Sequence, residues 1–147
     1  MRKVGKKLLK SMIITFTLCL SMLVISGTAL AERCVDNGDG TVTDNITGLM
    51  WQKATAAPRD WNRAMSYADG LSLGGHSDWQ LPSRHKLEGL YDSPCKNMMD
   101  VKKDFYWSST TCEYVTDFVW RITFLDGYGD NRRNTYHYYV RAVRDTR

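Results

Sequence analysis

The spacing of apolar positions divides the chain into a short amino-terminal run and a longer stretch of mixed pattern. Ser11 to Ile25 is almost continuously apolar and follows Arg2, Lys3, Lys6, Lys7 and Lys10, with no acidic residue among them. A basic segment, an apolar core and the small residues of Ala29-Leu30-Ala31 have the layout of an export leader, with cleavage expected after Ala31. The apolar run is shorter than the roughly 20 residues that span a bilayer comfortably. The sequence therefore reads as a signal peptide over residues 1–31 and a mature domain over 32–147, with an uncleaved anchor as the rival.

Beyond the leader the pattern alternates between two periods. Cys34 to Asp44 sets Asn37-Gly38-Asp39-Gly40 between two β-prone arms, a hairpin signature, and Leu49-Met50-Trp51 reads as a buried strand. From Asp60 to Leu71 the apolar residues Trp61, Ala64, Met65, Ala68 and Leu71 recur at helical spacing, with Pro58 ahead and Gly74-Gly75 beyond. Trp79-Gln80-Leu81-Pro82 is expected to be extended, because the residue before a proline is pushed out of the α region. Ser83 then caps a second helix, Arg84 to Tyr91, with Leu87, Leu90 and Tyr91 inward. Phe105–Thr111, Phe118–Leu125 and Thr135–Val143 read as strands, with Asp126 to Asn131 as a turn. In the middle strand, alternation puts Trp120, Ile122 and Phe124 on one face and Val119, Arg121, Thr123 and Leu125 on the other. The periodicity supports an α+β domain.

Charge changes the picture once the leader is set aside. Five of the 20 Lys and Arg and none of the 16 Asp and Glu lie in it, leaving 15 cations against 16 carboxylates, a net charge of −1 over residues 32–147. Net charge thus predicts no general affinity for nucleic acid, and any charge-driven recognition must come from local clustering. The 116 residues fit one domain with one core. Outside the leader stand Cys34, Cys95 and Cys112. Cys95 and Cys112 flank a lysine-bearing loop and the Trp107 strand, so they are the expected bridge in an oxidising compartment. Cys34 is then left as a free thiol, an intermolecular link or a buried reduced thiol.

Catalytic and metal chemistry find little to stand on. Ser108 and Ser109 lie in a strand without the Gly-x-Ser-x-Gly elbow, and His76, His85 and His137 are scattered. Asp36, Asn37, Asp39 and Asp44 invite a calcium reading, yet Gly38 and Gly40 stand where an EF-hand needs side-chain oxygens and no glutamate closes the loop. The expectation is no enzyme, no metal and no cofactor. Arg84-His85-Lys86 opposes its helix dipole; pairing with Glu88, Asp92 or another carboxylate is favoured over an anion site. The remaining cluster of rings and cations, Tyr128, Arg132, Arg133, Tyr136 and His137 with Tyr139, combines guanidinium groups that pair with carboxylate or sulfate and rings that stack on sugars. It is the candidate ligand-binding set, although strand alternation will turn half of its tyrosines inward.

Five short strings occur in order: Gly38-Asp39-Gly40-Thr41-Val42-Thr43-Asp44, Gly48-Leu49-Met50-Trp51, Trp79-Gln80-Leu81-Pro82-Ser83, Tyr106-Trp107-Ser108-Ser109-Thr110 and Tyr139-Val140-Arg141-Ala142-Val143-Arg144. Together they resemble the bacterial DUF1566 family, the carboxyl-terminal domain family of the Legionella collagen-like adhesin, over about Cys34 to Arg144. The resemblance implies a C-type lectin-like fold, with two short helices packed on a small antiparallel sheet. That adhesin binds sulfated glycosaminoglycans, so the resemblance also implies a secreted, periplasmic or cell-surface binding module for a glycan or other polyanion. An envelope protein acting through protein contacts is the alternative. The calcium-lectin strings Glu-Pro-Asn, Gln-Pro-Asp and Trp-Asn-Asp are absent, and arginine, usual in the family where this chain has Gln80, is replaced.

Overall fold

In the computed structural model, which describes residues 32–147, the leader read over 1–31 lies outside the described residues. The expected hairpin joins β1 (Cys34–Asp36) to β2 (Thr41–Asp44). Gly38 and Gly40 hold φ of 75° and 87° in its turn, a region open to glycine without a Cβ clash. The chain then adds β3 (Leu49–Gln52) antiparallel to β2. After β4 (Ala56–Arg59) come two helices, α1 (Trp61–Asp69) and α2 (Arg84–Asp92), and a 3-10 helix, Pro94–Met98. Five strands follow: β5 (Phe105–Thr111), β6 (Phe118–Thr123), β7 (Gly129–Arg133), β8 (Tyr138–Val140) and β9 (Val143–Asp145).

The strands form two sheets where the sequence suggests a single antiparallel one. Four strands run in the order β1-β2-β3-β9 and five in the order β4-β8-β5-β6-β7. All neighbours are antiparallel except β5 and β8, which pair in parallel through Tyr106 and Tyr139. The expected strand Thr135–Val143 divides because the chain leaves one sheet after Val140 and enters the other at Val143, where Trp51 is its partner. The expected turn at 126–131 ends sooner than its glycines suggest, since Gly129 to Arg133 pair along β6 from Ile122 to Phe118.

The second helix begins where its Ser83 cap predicts, and Asp60 proves to cap the first. Asp60 accepts from the Arg63 N–H and Ser83 from the Lys86 N–H, each satisfying a donor that the first turn leaves free. Ala64 and Ala68 of α1 pack with Trp79, Trp107, Val119, Val140 and Ala142. Leu87 and Leu90 of α2 pack with Leu49, Trp51, Tyr106, Ile122, Phe124 and Val143. The alternation read for β6 holds: Ile122 and Phe124 face α2, and Val119 faces α1. Among the described residues no helix is long and apolar enough to cross a membrane.

The disulfide corrects the sequence reading. Cys34 bonds to Cys95, with their Cα atoms 5.2 Å apart, and Cys112 is a half-buried free cysteine at the end of β5. The 3-10 helix lies against the β1–β2 hairpin, so Cys95 and Cys34 share a small core with Val42, Met98 and Met99. Proximity along the chain favours Cys112, whereas tertiary packing delivers Cys34, 61 residues away.

Arg141, in the crossover between β8 and β9, is only 1% exposed. Its Nη1 donates to the carbonyl oxygens of Gln52 and Lys53, and its Nη2 to Thr55 Oγ1 and the Asp100 carbonyl. Its Nε has no partner. Burial holds its pKa below the ordinary arginine value, against the opposing influence of Tyr106 and Asp100. Four oxygen acceptors take the place of the carboxylate that a buried cation usually finds.

Candidate binding surface

Residues paired across antiparallel strands share a face. Trp107 pairs with Arg121 and Arg121 with Asp130, while Val119 pairs with Arg132. These side chains lie on the α1 side of the five-stranded sheet, where Trp107 and Val119 join the core. Farther along that face the apolar cover gives way to a row of rings and charges.

Arg121 is the centre of the row. Its guanidinium carbon lies 3.5 Å from the Phe105 ring centroid and 4.4 Å from that of Tyr138, within cation–π range. Its Nε and Nη2 donate to the two carboxylate oxygens of Asp130 at 2.7 and 3.3 Å. Asp130 also pairs with Arg132 at 3.1 Å, and the Arg132 side chain keeps 47% of its exposure against 8% for Arg121. At the other end the Tyr136 and Tyr138 rings stack at 6.3 Å with 3° between their planes. Tyr136 is 53% exposed. Burial raises the pKa of Tyr138; Arg121 and Arg132 oppose that shift, and the net direction is upward. Tyr138 therefore stays a neutral phenol.

The candidate set from sequence is divided by this geometry. Arg132 and Tyr136 belong to the row. Arg133 lies on the other face, 5.8 Å from the Phe118 ring, so the adjacent arginines cannot act side by side. His137 is exposed, with Nε2 4.0 Å from the Asp60 carboxylate at the start of α1. Tyr128 stands exposed in the turn before β7. Tyr139 faces inward, its ring 5.7 Å from that of Tyr106. Sequence reasoning missed Arg121, Asp130 and Tyr138. The available signal was an arginine placed between Val119 and Thr123 on one face of a buried strand.

The other candidates are engaged in holding the fold. Asp36 pairs with Lys53 and accepts from the Gly38 N–H. Asp39 accepts from the Thr41 N–H and hydroxyl, and Asn37 donates to Thr41 and Thr43. Among the described residues, no three or more His, Cys, Asp or Glu side chains are grouped to hold a metal ion. Ser108 is buried and donates to the Trp120 carbonyl at 2.7 Å. Arg84 and His85 both meet Glu88, at 2.7 and 3.2 Å, and Lys86 meets Asp145 at 3.2 Å, as the pairing account expects.

The fold and this row define a disulfide-bonded α+β domain with an arginine-centred aromatic surface. The chain belongs to the Lcl C-terminal domain family, whose model matches residues 40–144. That span holds every element of the row and leaves Cys34 just outside. Membership points to an adhesin-like binding module. No curated protein matches the chain.

Proposed function

We propose that the protein is an exported, non-catalytic module of lectin-like type that recognises a cell-surface or extracellular glycan or polyanion through the row from Arg132 to Tyr136. One observation carries this reading. The half-exposed Arg132 and the exposed Tyr136 stand at the two ends of a rigid base formed by Asp130, Arg121 and Tyr138. Arg132 offers a fork of donors to sulfate or carboxylate, and Tyr136 offers an apolar ring to a sugar face. Sharing Asp130 with Arg121 holds Arg132 in place at little further entropic cost on binding.

The test is a binding screen against sulfated and neutral glycans at several salt concentrations. Salt-sensitive capture of sulfated chains, weakened on Arg132→Ala and unchanged on Arg133→Ala, is the expected result. Equal loss in both variants, or in neither, overturns the assignment of the row. A second reading, an accessory envelope protein acting through protein contacts, draws on Tyr114 and Val115, which are 91% and 46% exposed in the β5–β6 loop. It becomes the better account if no glycan binds and Tyr114→Ser abolishes association with an envelope fraction.

A further inference from the structure

We infer that the free edge of β7 is a self-association site, where two copies of the protein join edge to edge and antiparallel, Asn131 opposite Asn131 and Asp130 opposite Arg132. The contact is made by the β7 backbone and does not depend on what the Arg121 row binds.

An unpaired strand edge is a template for another strand, and folded domains blunt such edges. Three of the four sheet edges here are blunted. β4 carries Pro58 and loses register between Ala56 and Arg59. β1 is three residues long and is tied through Cys34 to the 3-10 helix. β9 is met on its outer side by Gln80, which exchanges backbone bonds with Val143 in both directions. β7 has none of these devices. Its five residues keep unbroken register with β6, include neither proline nor lysine, and end the sheet.

Alternation fixes which groups reach outward. Thr123 donates to the Tyr128 carbonyl and Asn134 to the Asp117 carbonyl, so residues 128, 130, 132 and 134 carry the bonds to β6. Gly129, Asn131 and Arg133 therefore turn their N–H and C=O groups to the open edge. Among the described residues, their N–H groups donate to no other segment. The Asn131 carbonyl accepts from the exposed Arg132 side chain and the Arg133 carbonyl from the Tyr136 N–H, each with a second lone pair to spare.

A second copy can bond to this edge only where outward residues face outward residues, which allows registers two residues apart. Charge chooses among them. With Asn131 opposite Asn131, Gly129 faces Arg133 in hydrogen-bonded pairs, and Asp130 of each copy faces Arg132 of the other in the closer pairs between them. A slip of two residues sets Asp130 against Asp130 in one direction and Arg132 against Arg132 in the other. Asp130 and Arg132 already pair within one copy at 3.1 Å, and the second copy turns that pair into a ring of alternating charge. The edge is thus self-complementary, as a two-fold interface requires. Two five-stranded sheets become one, with both Arg121 rows on the same face. So short a contact is weak, with a dissociation constant expected on the order of 100 μM.

Sedimentation equilibrium of the purified protein between about 10 μM and 1 mM, without glycan, tests this. The wild type is expected to pass from monomer to dimer over that range. Asn131→Pro removes an outward N–H and leaves the ladder to β6 intact, so it should stay monomeric with its Tm within a few degrees of wild type. Arg132→Glu, which sets like charges opposite each other, should weaken the dimer roughly tenfold or more. In a Cys112→Ser background, Asn131→Cys should cross-link two copies on mild oxidation, while Arg133→Cys, displaced along the strand from its counterpart, should not. A monomer at every concentration overturns the inference, as does a dimer that survives Asn131→Pro or cross-links equally at both positions. A large fall in Tm for Asn131→Pro would show that its N–H faces β6 and would overturn the register.

Discussion

Arg121 Nε donates to Asp130 Oδ1 at 2.7 Å, and the same carboxylate holds the more exposed Arg132 at 3.1 Å. One acidic side chain thus fixes a buried cation and an accessible one. Asp130→Asn should leave the Arg121 guanidinium without its counter-charge between two rings. The expected loss is about 2 kcal/mol, less than for a fully buried pair because the rings still cover the cation. Thermal denaturation would measure it, and an unchanged Tm would show that the rings alone suffice.

Separation of the two adjacent arginines predicts unequal effects on polyanion binding. Arg132→Ala and Tyr136→Phe distinguish charge from phenol hydrogen bonding within the row, while Arg133→Ala probes the opposite face. Loss of Arg132 is expected to weaken binding of a sulfated chain about tenfold, the scale of one charge-assisted bond. Tyr136→Phe should change it little if stacking dominates. Surface plasmon resonance at two salt concentrations reads both.

Reduction of the Cys34–Cys95 bond should destabilise the domain markedly. The bond closes a 61-residue separation, for which loop entropy gives about 4 kcal/mol. Cys34→Ser or Cys95→Ser should therefore lower the Tm by roughly 15 °C. Cys112→Ser should be close to neutral. Peptide mapping without reductant should recover the Cys34–Cys95 pair, and recovery of a Cys95–Cys112 peptide instead would refute the assignment.

Stability should fall in acid partly through Asp44. Burial alone would raise its pKa, but the Arg33 guanidinium, the N–H groups of Ile46 and Thr47 and the Ser93 hydroxyl together bring it below the ordinary 3.8. A carboxylate depressed in the folded state stabilises above its unfolded value, and that contribution disappears as pH falls through the lower folded value. Asp44→Asn should lower stability at pH 7 and flatten the decline below about pH 4. Denaturant titrations from pH 7 to pH 2 would show it.

Arg141→Lys should cost about 3 kcal/mol although it preserves charge. An ammonium presents three donors from one point and cannot span the acceptors at Gln52, Lys53, Thr55 and Asp100 that the planar guanidinium reaches. Chemical denaturation measures the difference.

Both helices are legible in the sequence, because Ser83 announces the start of α2, Pro58 precedes α1, and the apolar stripes match the buried faces of Ala64, Ala68, Leu87 and Leu90. Strand β5 is legible in full. Strand β4 is not, since Ala56-Ala57-Pro58-Arg59 has no apolar alternation and lies at a sheet edge, where proline is tolerated. Strand β7 is equally hidden, as an edge strand made of Gly, Asp, Asn and Arg. The row was half visible: Arg132 and Tyr136 are conspicuous, while Arg121 and Tyr138 depend on register, which the periodicity of one strand does not supply. The disulfide depends on a contact between β1 and the 3-10 helix, and no local pattern encodes it.

The crossover at Arg141 also makes the completion of both sheets depend on one short stretch of chain. Residues 138–145 pair with β4 and β5 in one sheet and with β3 in the other, and Val143 bonds to Gln80 as well. These are contacts of long sequence separation, which are slow to close. A nascent chain that stops before Tyr138 holds two unfinished sheets and no Arg141 to gather the 52–55 loop. The eight residues 138–145 thus close both sheets at once, and neither sheet is complete without them.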